Sequence, residues 1–394
     1  MDLKTFNQIN SPAGSDVIQA AMALSPRETD FLLHFQSLSR HYPAELARAA
    51  LETAILRLEA RSKFPFAEKL FLTRQALEQA SSYDVSSYRV NRFLSFPAIA
   101  DLGCSIGGDT FALANIAPTL GVELDSLRLA MASANLRSLG LSNPVRFIQA
   151  DITHSIPVKP GSTALFFDPA RRIGHKRFFT VENYQPPLSI IIKWLDDFPA
   201  LGVKISPGVK LSELAGYDAE IEFISLRGDL KEAVLWFGPL KASMRSATVL
   251  PGSFRLVSEH PYRTSEKSIP ITDPKSFLYE PDPAVIRAGL VTDLAEMLEA
   301  SQLDAEIAYL TSDRLSNTPF AHRWSIEDWF PFQLKRLRAY LRQRNIGHVD
   351  VKKRGSPLEP EFLIHQLHLK GNRECILVLT HLRGDPIVLV CNAL

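Results

Sequence analysis

The stretch DLGCSIGGD, residues 101–109, decides how this chain is expected to fold. It follows a short apolar run, AIADLG, and leads into FALANIA, which has the composition of a helix. Because Gly103, Gly107 and Gly108 have no Cβ atoms, a ligand can lie directly against the backbone of such a turn. A glycine-rich turn alone is a weak signal, since loop geometry without any ligand also produces it.

Short apolar runs alternate with helical stretches around this turn. The runs AIADLG, LGVEL, VRFIQAD, TALFFDP and LGVKISP predict five strands, and the amphipathic connections between them predict helices. This alternation is typical of βαβ units, which build parallel sheets. Two β-rich runs around a polar turn, in residues 221–238, predict that the sheet ends in an antiparallel hairpin. Residues 96–240 are therefore expected to form a mostly parallel α/β domain.

The first 95 residues predict a helical region. Leu51, Ile55 and Leu58 recur at helical spacing, and no strand pattern interrupts this part of the sequence. The stretch SPRE, residues 25–28, combines serine, proline and glutamate in the order expected where an N-capped helix begins.

The C-terminal third predicts a second, smaller α/β domain over residues 281–394. Its pattern indicates a helix capped near Asp282, a basic helix around residues 332–344 and a final hairpin that turns near Gly384. Residues 241–280 are rich in serine and proline and are expected to form a connecting segment.

Composition indicates a folded protein of two or three domains. With 394 residues, 46% hydrophobic and 22% charged, the chain is too large for one core and too apolar to be disordered. No segment offers about 18 uninterrupted apolar residues, and the opening MDLKTFNQINSP lacks the features of a signal peptide. We therefore expect a cytoplasmic protein without a membrane partner. The net charge of +1 means that a nucleic-acid partner would have to be bound by a local patch.

The three cysteines, Cys104, Cys375 and Cys391, are expected to be inert thiols. They are odd in number and lack the paired spacing of a zinc site or a disulfide framework. Free cysteine usually behaves as a small buried hydrophobe. We therefore expect no metal in this protein.

Acidic residues follow successive strands of the predicted sheet. Asp101 belongs to the end of the first strand, and Glu123, Asp151 and Asp168 end the second, third and fourth. Ligands of open α/β sheets bind at the carboxyl ends of the strands. Four carboxylates at one edge are costly unless a ligand or solvent compensates their charge. A sulfonium cofactor would compensate it.

In this order of turn and acids, the sequence resembles the class I S-adenosylmethionine-dependent methyltransferases over about residues 96–238. The resemblance implies their Rossmann-like sheet and S-adenosylmethionine as cofactor. It implies that Glu123 binds the ribose, and that Asp151 and Ile152 contact the adenine. The other cofactor-binding residues that it implies belong to the turn: Asp101 and Gly103 beside the methionine part, with Ser105 and Gly107.

The spacing of the glycines argues against a dinucleotide-binding dehydrogenase. The fingerprint of that class requires G-x-G-x-x-G. Here Gly103 is followed by Cys, Ser and Ile before Gly107, a spacing that resembles the methyltransferases.

The fourth strand end, FFDPARR, is where the methyltransferase fold places the acceptor. Methyltransferases that act on amino groups of bases or amides carry Asp or Asn, two prolines and an aromatic residue there. By this resemblance, Asp168 and the carbonyl of Pro169 accept hydrogen bonds from the acceptor amine. Arg171 stands in place of the aromatic residue, and its guanidinium can stack on a base or bind a phosphate. The alternative is that Asp168 only caps a turn.

The DP-x-R motif also resembles the uracil C5 methyltransferases, which need a downstream cysteine nucleophile. The strand after Asp168 ends in KISPG, and no cysteine follows it until Cys375. Without a thiolate beside the acceptor, the covalent route is closed.

Four further stretches resemble the bacterial methyltransferase proteins that carry a THUMP-like C-terminal domain. They are FLTRQALEQASS, YEPDPAVIRAGL, TPFAHRW and VKKRG, and they extend the resemblance over nearly the whole chain. Since true THUMP domains bind RNA, the resemblance favours RNA as substrate and partner. In the first stretch, Arg74 and Gln79 are candidates to cover the cofactor pocket, although packing alone would also explain the N-terminal helices.

Two basic segments are candidates for contacts with RNA phosphates. One is RRIGHKR, beside the predicted acceptor site, and the other is the basic C-terminal helix with the residues after it. The predicted substrate-binding residues are Arg171, Arg172, Lys176, Arg177, Lys335, Arg338, Lys352 and Lys353. The alternative interpretation is that the first segment is a solvent-exposed loop and the second a solvent-exposed helix face, neither of which binds a ligand.

These features together predict an S-adenosylmethionine-dependent methyltransferase that modifies a base nitrogen in RNA. One alternative keeps the enzyme and changes the substrate to a protein or a small molecule. Another is a non-catalytic RNA-binding factor whose cofactor pocket is vestigial.

Overall fold

The chain divides into two compact structural units. The first comprises Met1–Ile221 and Lys231–Ala242, and the second Glu222–Leu230 and Ser243–Leu394. The structure is a computed structural model that describes residues 1–141, 143–173, 176–177, 180–261 and 269–394. Of residues 172–173 and 176–177 it describes the backbone alone.

Six helices open the first unit. They are α1 (Leu3–Ile9), α2 (Pro12–Ala23), α3 (Phe31–Leu38), α4 (Ala44–Ala60), α5 (Arg74–Gln79) and α6 (Tyr83–Arg89). The side chains of Asp2, Ser11 and Thr73 cap three of them, each accepting a hydrogen bond from the backbone N–H three residues further on. The prediction of helices at the N-terminus is confirmed.

The helix start predicted at residues 25–28 is wrong. Ser25 has φ +46° and follows helix α2 instead of capping a new one. A single 3-10 turn, Glu28–Asp30, then leads into α3. The pattern misled because a left-handed residue followed by proline is also a common way to end a helix.

Strands and helices alternate along the chain as far as the third strand, and mostly strands follow. They are β1 (Ala98–Leu102), α7 (Gly108–Leu113), β2 (Thr119–Glu123), α8 (Ser126–Leu139), β3 (Val145–Gln149), β4 (Thr163–Phe167), β5 (Arg172–Ile173), β6 (Lys176–Arg177), α9 (Ile192–Leu195), β7 (Leu201–Ile205), β8 (Glu220–Leu226) and β9 (Asp229–Trp236). Within the first unit the strand order is β9-β7-β4-β1-β2-β3.

The sheet of the first unit is mostly parallel. Strands β1, β2, β3, β4 and β7 pair in parallel, and β9 is antiparallel to β7. Strands β8 and β9 flank a turn at Arg227 and Gly228, which both have positive φ, as a tight hairpin turn requires. The predicted α/β fold class is therefore confirmed.

Burial explains why the strands appear as unbroken apolar runs. All five residues of β7 are buried, and so are four of five in β1 and in β4. Central strands of a parallel sheet are covered on both faces, so they need apolar side chains at successive positions. Strand β3 lies at the edge of the order and has no fully buried residue.

The N-terminal helices pack against helix α8 within the same unit. Their apolar core is continuous with Ile106, Phe111 and Met131. The buried amide of Asn135 closes this contact. Its Oδ1 accepts from the N–H of Phe71 (2.6 Å), and its Nδ2 donates to the carbonyl oxygens of Phe71 (3.0 Å) and Ile106 (3.1 Å).

The second unit contains nine further strands and four helices in its described residues. They are β10 (Arg245–Leu250), β11 (Phe254–Ser258), β12 (Phe277–Pro281), α10 (Pro283–Arg287), α11 (Val291–Met297), β13 (Ser301–Asp304), β14 (Ile307–Ser312), β15 (Ala321–Pro331), α12 (Leu334–Gln343), β16 (Ile346–Lys353), α13 (Pro360–Leu367), β17 (Arg373–Leu382) and β18 (Asp385–Ala393). A seven-stranded sheet has the order β13-β14-β12-β15-β18-β17-β16, in which β16 and β17 are parallel and the other neighbours antiparallel.

Two details of the C-terminal prediction need correction. Residues 241–280, expected to be a connecting segment, contain the antiparallel pair β10–β11. The single helix expected after Asp282 is two helices, because Gly289 adopts φ +66° between them. The final hairpin turns at Gly384, as expected.

Helix α4, with 17 residues, is the longest helix in the described part of the chain. Among those residues, no helix is long and apolar enough to cross a membrane.

Candidate active site

The glycine-rich turn between β1 and α7 uses backbone conformations that favour glycine. Gly103 has φ +77° and Gly107 has φ +89°. A Cβ atom on Gly103 would lie 3.1 Å from the carbonyl oxygen of Asp168, which is closer than ordinary contact. The N–H groups of Gly103 and Cys104 both donate to the carbonyl oxygen of Val122, at 2.9 and 3.0 Å. The turn is therefore held between the ends of β2 and β4.

A cavity of about 390 Å³ opens at the carboxyl ends of β1, β2, β3 and β4. Open α/β sheets bind ligands at this position, and the volume is within the range of small-molecule sites. Six of the seven residues predicted to bind the cofactor line it: Asp101, Gly103, Ser105, Glu123, Asp151 and Ile152. Gly107 is not among the described lining residues, which include its neighbour Gly108.

Glu123, at the end of β2, is held by the backbone. Its Oε2 accepts from the N–H of Ser105 (2.9 Å), and its Oε1 accepts from the N–H groups of Leu124 (2.8 Å) and Asp125 (3.0 Å). A carboxylate offers about four acceptor positions, so one is left for a ligand. The side chain is thus oriented at the cavity and can still accept a hydrogen bond.

Asp151, after β3, is the most exposed of the four acids. Its Oδ1 accepts from the N–H (2.9 Å) and the hydroxyl (2.6 Å) of Thr153. These hydrogen bonds lower its pKa below the usual value. Asp151 therefore stays ionised and remains accessible at the rim of the cavity.

Helix α5 covers one side of the cavity through Ala76, Gln79 and Ala80. The Nε2 atom of Gln79 is buried and has no hydrogen-bond partner within the described residues. Because a buried donor without an acceptor is costly, this atom is suited to an acceptor on a bound ligand. Arg74 forms ion pairs with Glu28 and Glu59 and does not line the cavity among the residues described.

Asp101 is almost completely buried beneath the cavity. Its Oδ2 accepts a hydrogen bond of 2.5 Å from the hydroxyl of Thr110. Burial, reinforced by the nearby carboxylate of Asp109, raises the pKa of Asp101 to about 8. At neutral pH this carboxyl is therefore mostly protonated and can donate a hydrogen bond.

A buried arginine keeps Asp109 ionised, unlike the protonated Asp101. Arg89 forms an ion pair with Asp109 and lies 3.0 Å from Oε1 of Glu232. Burial alone would raise the pKa of Asp109, but the charges of Arg89 and Lys204 outweigh it and the pKa is lowered. The two neighbouring acids Asp101 and Asp109 thus differ in charge.

Asp168, after β4, forms an ion pair with Lys204 of β7. The Nζ of Lys204 lies 2.7 Å from Oδ2 of Asp168, and the lysine side chain is only 2% exposed. We expected a ligand or solvent to compensate the acids at this edge, and this was wrong for Asp168, because Lys204 compensates it from within the chain. The available sequence signal was a lysine inside the apolar run LGVKI.

Pro169, Ala170 and Arg171 continue the cavity wall beyond Asp168. The backbone of Ala170 exchanges two hydrogen bonds with Gln185, of 3.0 and 2.9 Å, which hold the main chain in place. The structure therefore places the predicted catalytic residues Asp168, Pro169 and Arg171 on one side of the cavity.

Arg128 lines the cavity but was missed in the sequence. It lies in the first turn of α8, and its guanidinium donates to Oε1 of Gln75 at 2.9 Å. Only the folded chain brings it to the site, so no local pattern could have identified it. A guanidinium at this place can pair with a ligand carboxylate.

The predicted basic residues lie in two places. The backbones of Arg172, Lys176 and Arg177 belong to the short strands β5 and β6, and their side chains lie outside the described part of the structure. In the second unit, Lys335 is exposed on helix α12.

The other basic candidates of the second unit already have partners. Arg338 donates to the carbonyl oxygen of Gln366 at 2.6 Å. Lys352 lies 3.0 Å from Asp350, and Lys353 lies 2.7 Å from Glu359. Exposed ion pairs of this kind are worth at most about 1 kcal/mol, so a phosphate can replace the acid.

The three cysteines, all within the described residues, are buried and unpaired. Burial raises the pKa of Cys104 well above its usual value, and raises that of Cys375 to about 11 and of Cys391 to about 12. None is a thiolate at neutral pH, as expected of inert thiols. In the described parts of the chain, no group of three or more potential metal ligands occurs.

The parallel sheet, the glycine-rich turn and the acid-lined cavity at the strand ends define the class of Rossmann-like methyltransferases. Two relatives from Mycobacterium tuberculosis, in strains CDC 1551 and H37Rv, are each 32% identical over 351 residues, which cover 86% of this chain and 93% of theirs. Both are named as uncharacterized S-adenosylmethionine-dependent methyltransferases. The chain belongs to the S-adenosylmethionine-dependent methyltransferases, and its cofactor is S-adenosylmethionine.

Structural and family similarities extend beyond the sheet. A crystal structure from Porphyromonas gingivalis W83, provisionally assigned as a methyltransferase, has a TM-score of 0.71 at 20% identity and covers 93% of this chain and 99% of that one. A family model described as THUMP domain-like matches residues 321–393. This match confirms the predicted THUMP-like domain. A second model, a domain of unknown function (DUF8688), matches residues 2–60.

The residues present fit this cofactor. Gly103 lines the cavity, Glu123 keeps an acceptor position, and Gln79 has a buried donor without a partner among the described residues. These features suit a ligand that carries both hydroxyl groups and carboxylate oxygens, as S-adenosylmethionine does.

Proposed function

We propose that this protein transfers a methyl group from S-adenosylmethionine to a base nitrogen in RNA. The observation that carries the proposal is that Asp168, Pro169 and Arg171 line the same cavity as Gly103 and Glu123. A site for the acceptor and a site for the cofactor therefore share one space.

In this proposal the cofactor binds along the ends of β1, β2 and β3. Glu123 accepts a hydrogen bond from the ribose, and Asp151 and Ile152 contact the adenine. The methionine part lies over Asp101, Gly103 and Ser105, with Gly107 shaping the turn through its positive φ. Gln79 and Arg128 are the two residues best suited to its carboxylate, since one offers an unpaired donor and the other a cation.

Asp168 orients the acceptor nitrogen. Its Oδ2 is paired with Lys204, so Oδ1 is left to accept a hydrogen bond from the amine. The carbonyl of Pro169 accepts a second, and Arg171 stacks on the base or binds a flanking phosphate. The bound cofactor supplies a methyl group made electrophilic by the positive sulfur. The residues thus contribute proximity and alignment of the nitrogen with that methyl group.

The RNA assignment rests on the THUMP domain-like match and on the basic segments. Cations there would bind phosphates, which give affinity without base specificity. Those proposed are Arg171, Arg172, Lys176 and Arg177 beside the cavity and Lys335, Arg338, Lys352 and Lys353 in the second unit.

A methyl-transfer assay tests the proposal. RNA from cells lacking the gene is incubated with tritiated S-adenosylmethionine and the parent protein, the Asp168→Ala variant or the Asp197→Ala variant. Asp197 is exposed and does not line the cavity among the residues described, so it is a matched control. We expect Asp168→Ala to lose at least about 100-fold in transfer, the size of losing a key transition-state contact. Its affinity for the cofactor should stay close to that of the parent. Transfer by Asp168→Ala at the parental rate would disprove the role of Asp168.

RNase treatment before the assay separates RNA from other acceptors. If RNA is the substrate, labelling disappears, and mass spectrometry of nucleosides identifies the methylated atom. If labelling survives RNase, the acceptor is a protein or a small molecule and the RNA proposal is wrong.

A further inference from the structure

A buried lysine connects the proposed acceptor site to the helix above the cofactor cavity. Lys204 lies within β7, where all five residues are buried. Its Nζ contacts Oδ2 of Asp168 at 2.7 Å and donates to the carbonyl oxygen of Gln79 at 3.2 Å. Burial of a charge is unfavourable unless close partners compensate it. These two contacts are the compensation, and both partners line the cavity.

A second lysine binds the neighbouring carbonyl groups. The Nζ of Lys63 donates to the carbonyl oxygens of Leu77 (2.7 Å), Glu78 (3.3 Å) and Ala80 (2.9 Å). Lys63 and Lys204 together therefore take four successive carbonyl groups where α5 ends. In the described contacts, only Lys204 also reaches Asp168. Lys63 therefore supports the end of α5 alone, whereas Lys204 contacts both the end of α5 and the carboxylate.

We propose that Lys204 is a positioning residue that holds Oδ2 of Asp168, directs its free oxygen toward the acceptor nitrogen and fixes the carboxylate relative to helix α5. This inference rests on the proposed function of Asp168 as the group that orients the acceptor. Because Lys204 occupies Oδ2, Oδ1 is the atom that faces the acceptor, and a carboxylate oxygen there favours acceptors that carry an N–H donor.

The charges around Asp168 show why Lys204 is needed. Asp168 is within electrostatic range of Arg89 on α6 and of Asp101 on β1, and Arg171 lines the same cavity. Lys204 itself is faced by Asp109 and by Lys63. Arg89 is already engaged by Asp109 and Glu232.

Without Lys204, Asp168 would lose its only direct cationic partner among the described contacts. With Oδ2 no longer held, the carboxylate would be free to rotate away from the acceptor nitrogen. Alignment of that nitrogen with the methyl group would then be lost in part, which lowers the rate of transfer more than the affinity for the cofactor.

The test compares Lys204→Met, Lys204→Arg and Lys63→Met in the full-length protein. With RNA from cells lacking the gene as acceptor, we expect Lys204→Met to lose at least about tenfold in kcat at neutral pH. Its KM and its calorimetric Kd for S-adenosylmethionine should change less than about threefold. Lys204→Arg keeps the cation and should restore most of the kcat, and Lys63→Met should keep the parental kcat while lowering the Tm.

A direct measurement keeps the inference independent of the RNA substrate. Carbon-13 NMR of labelled aspartate identifies the Asp168 carboxyl signal by its absence from Asp168→Asn. In Lys204→Met, or in Lys204→Gln if the methionine variant does not fold, this signal should shift from its parental position at a fixed neutral pH, and in Lys63→Met it should not. If the parent methylates no RNA, the proposed function fails and the carboxyl signal still decides the role of Lys204. An unchanged signal, or a parental kcat in Lys204→Met, would overturn the inference.

Discussion

Gly103 lies against the backbone carbonyl of Asp168, whose oxygen is 3.1 Å from the place a Cβ atom would occupy. This contact joins the cofactor turn to the end of the acceptor strand. The two parts of the site therefore share a boundary that only a glycine allows.

Replacing Gly103 with alanine should weaken cofactor binding and stability together. Alanine at φ +77° costs about 1–2 kcal/mol, and the added methyl group would push the turn away from Asp168. We expect Kd for S-adenosylmethionine, measured by calorimetry, to rise at least about tenfold. Gly140→Ala is the control, because Gly140 has φ +61° with no neighbour within 4 Å of its Cβ position. It should lose stability and keep cofactor affinity. Equal affinities in the two variants would contradict the close approach at Gly103.

The Glu123→Gln variant should bind the cofactor less tightly. The carboxylate accepts three backbone hydrogen bonds, and an amide side chain cannot accept them all because one of its two groups is a donor. We expect a rise in Kd of about tenfold or more by calorimetry. Asp125→Asn, next in the loop, retains its helix cap and should bind like the parent. Unchanged binding by Glu123→Gln would exclude Glu123 from the cofactor site.

The buried carboxyl of Asp101 predicts a pH dependence of stability. Its pKa is raised from 3.8 to about 8 in the folded protein. Between about pH 4 and about pH 8 the folded state therefore holds a proton that the unfolded state releases. The contribution of Asp101 to stability is present at low pH and is lost as pH rises through this window. Urea unfolding at about pH 6 and about pH 8.5 should show a larger loss for the parent than for Asp101→Asn. Parallel losses would contradict the raised pKa.

Asn135→Ala should destabilise the first unit strongly. The change leaves the N–H and carbonyl of Phe71 and the carbonyl of Ile106 without their partner. Each unsatisfied buried group costs about 1–3 kcal/mol, so we expect a loss of about 3 kcal/mol or more in the free energy of unfolding. Asn143→Ala removes a single hydrogen bond, from Nδ2 to the carbonyl of Ala114, and should cost about 1 kcal/mol. Similar losses for the two variants in urea unfolding would disprove the anchoring role of Asn135.

Local patterns were sufficient for the sheet and for most of the residues at the cavity. Unbroken apolar runs indicate strands buried on both faces, and an acid directly after each run must reach the same edge of a parallel sheet. The glycine spacing then distinguished the methyltransferase turn from a dehydrogenase turn. These inferences depend on neighbours along the chain, which the sequence contains directly.

Contacts between distant elements were not accessible in the same way. Lys204 meets Asp168 because β4 and β7 pair with Phe167 opposite Val203, which brings the following residues level with each other. Asp168 and Lys204 are 36 residues apart in the sequence. The pairing register of their two strands is not encoded in either apolar run alone. Arg128 and Gln79 likewise reach the cavity only through packing of α8 and α5. Helix caps are uncertain because a local signal can have two meanings. Ser25 and Pro26 suit both the start and the end of a helix.

The apolar core that the N-terminal helices share with α8 also limits how this protein can be recombined with its relatives. Helices α1 to α4 end at Ala60, yet their apolar core continues through Phe71 into Met131 and Ala134 of α8. Removal of residues 1–60 would leave that face of α8 open to water. A chimera that exchanges the first helices between two homologues must therefore exchange the matching face of α8 as well.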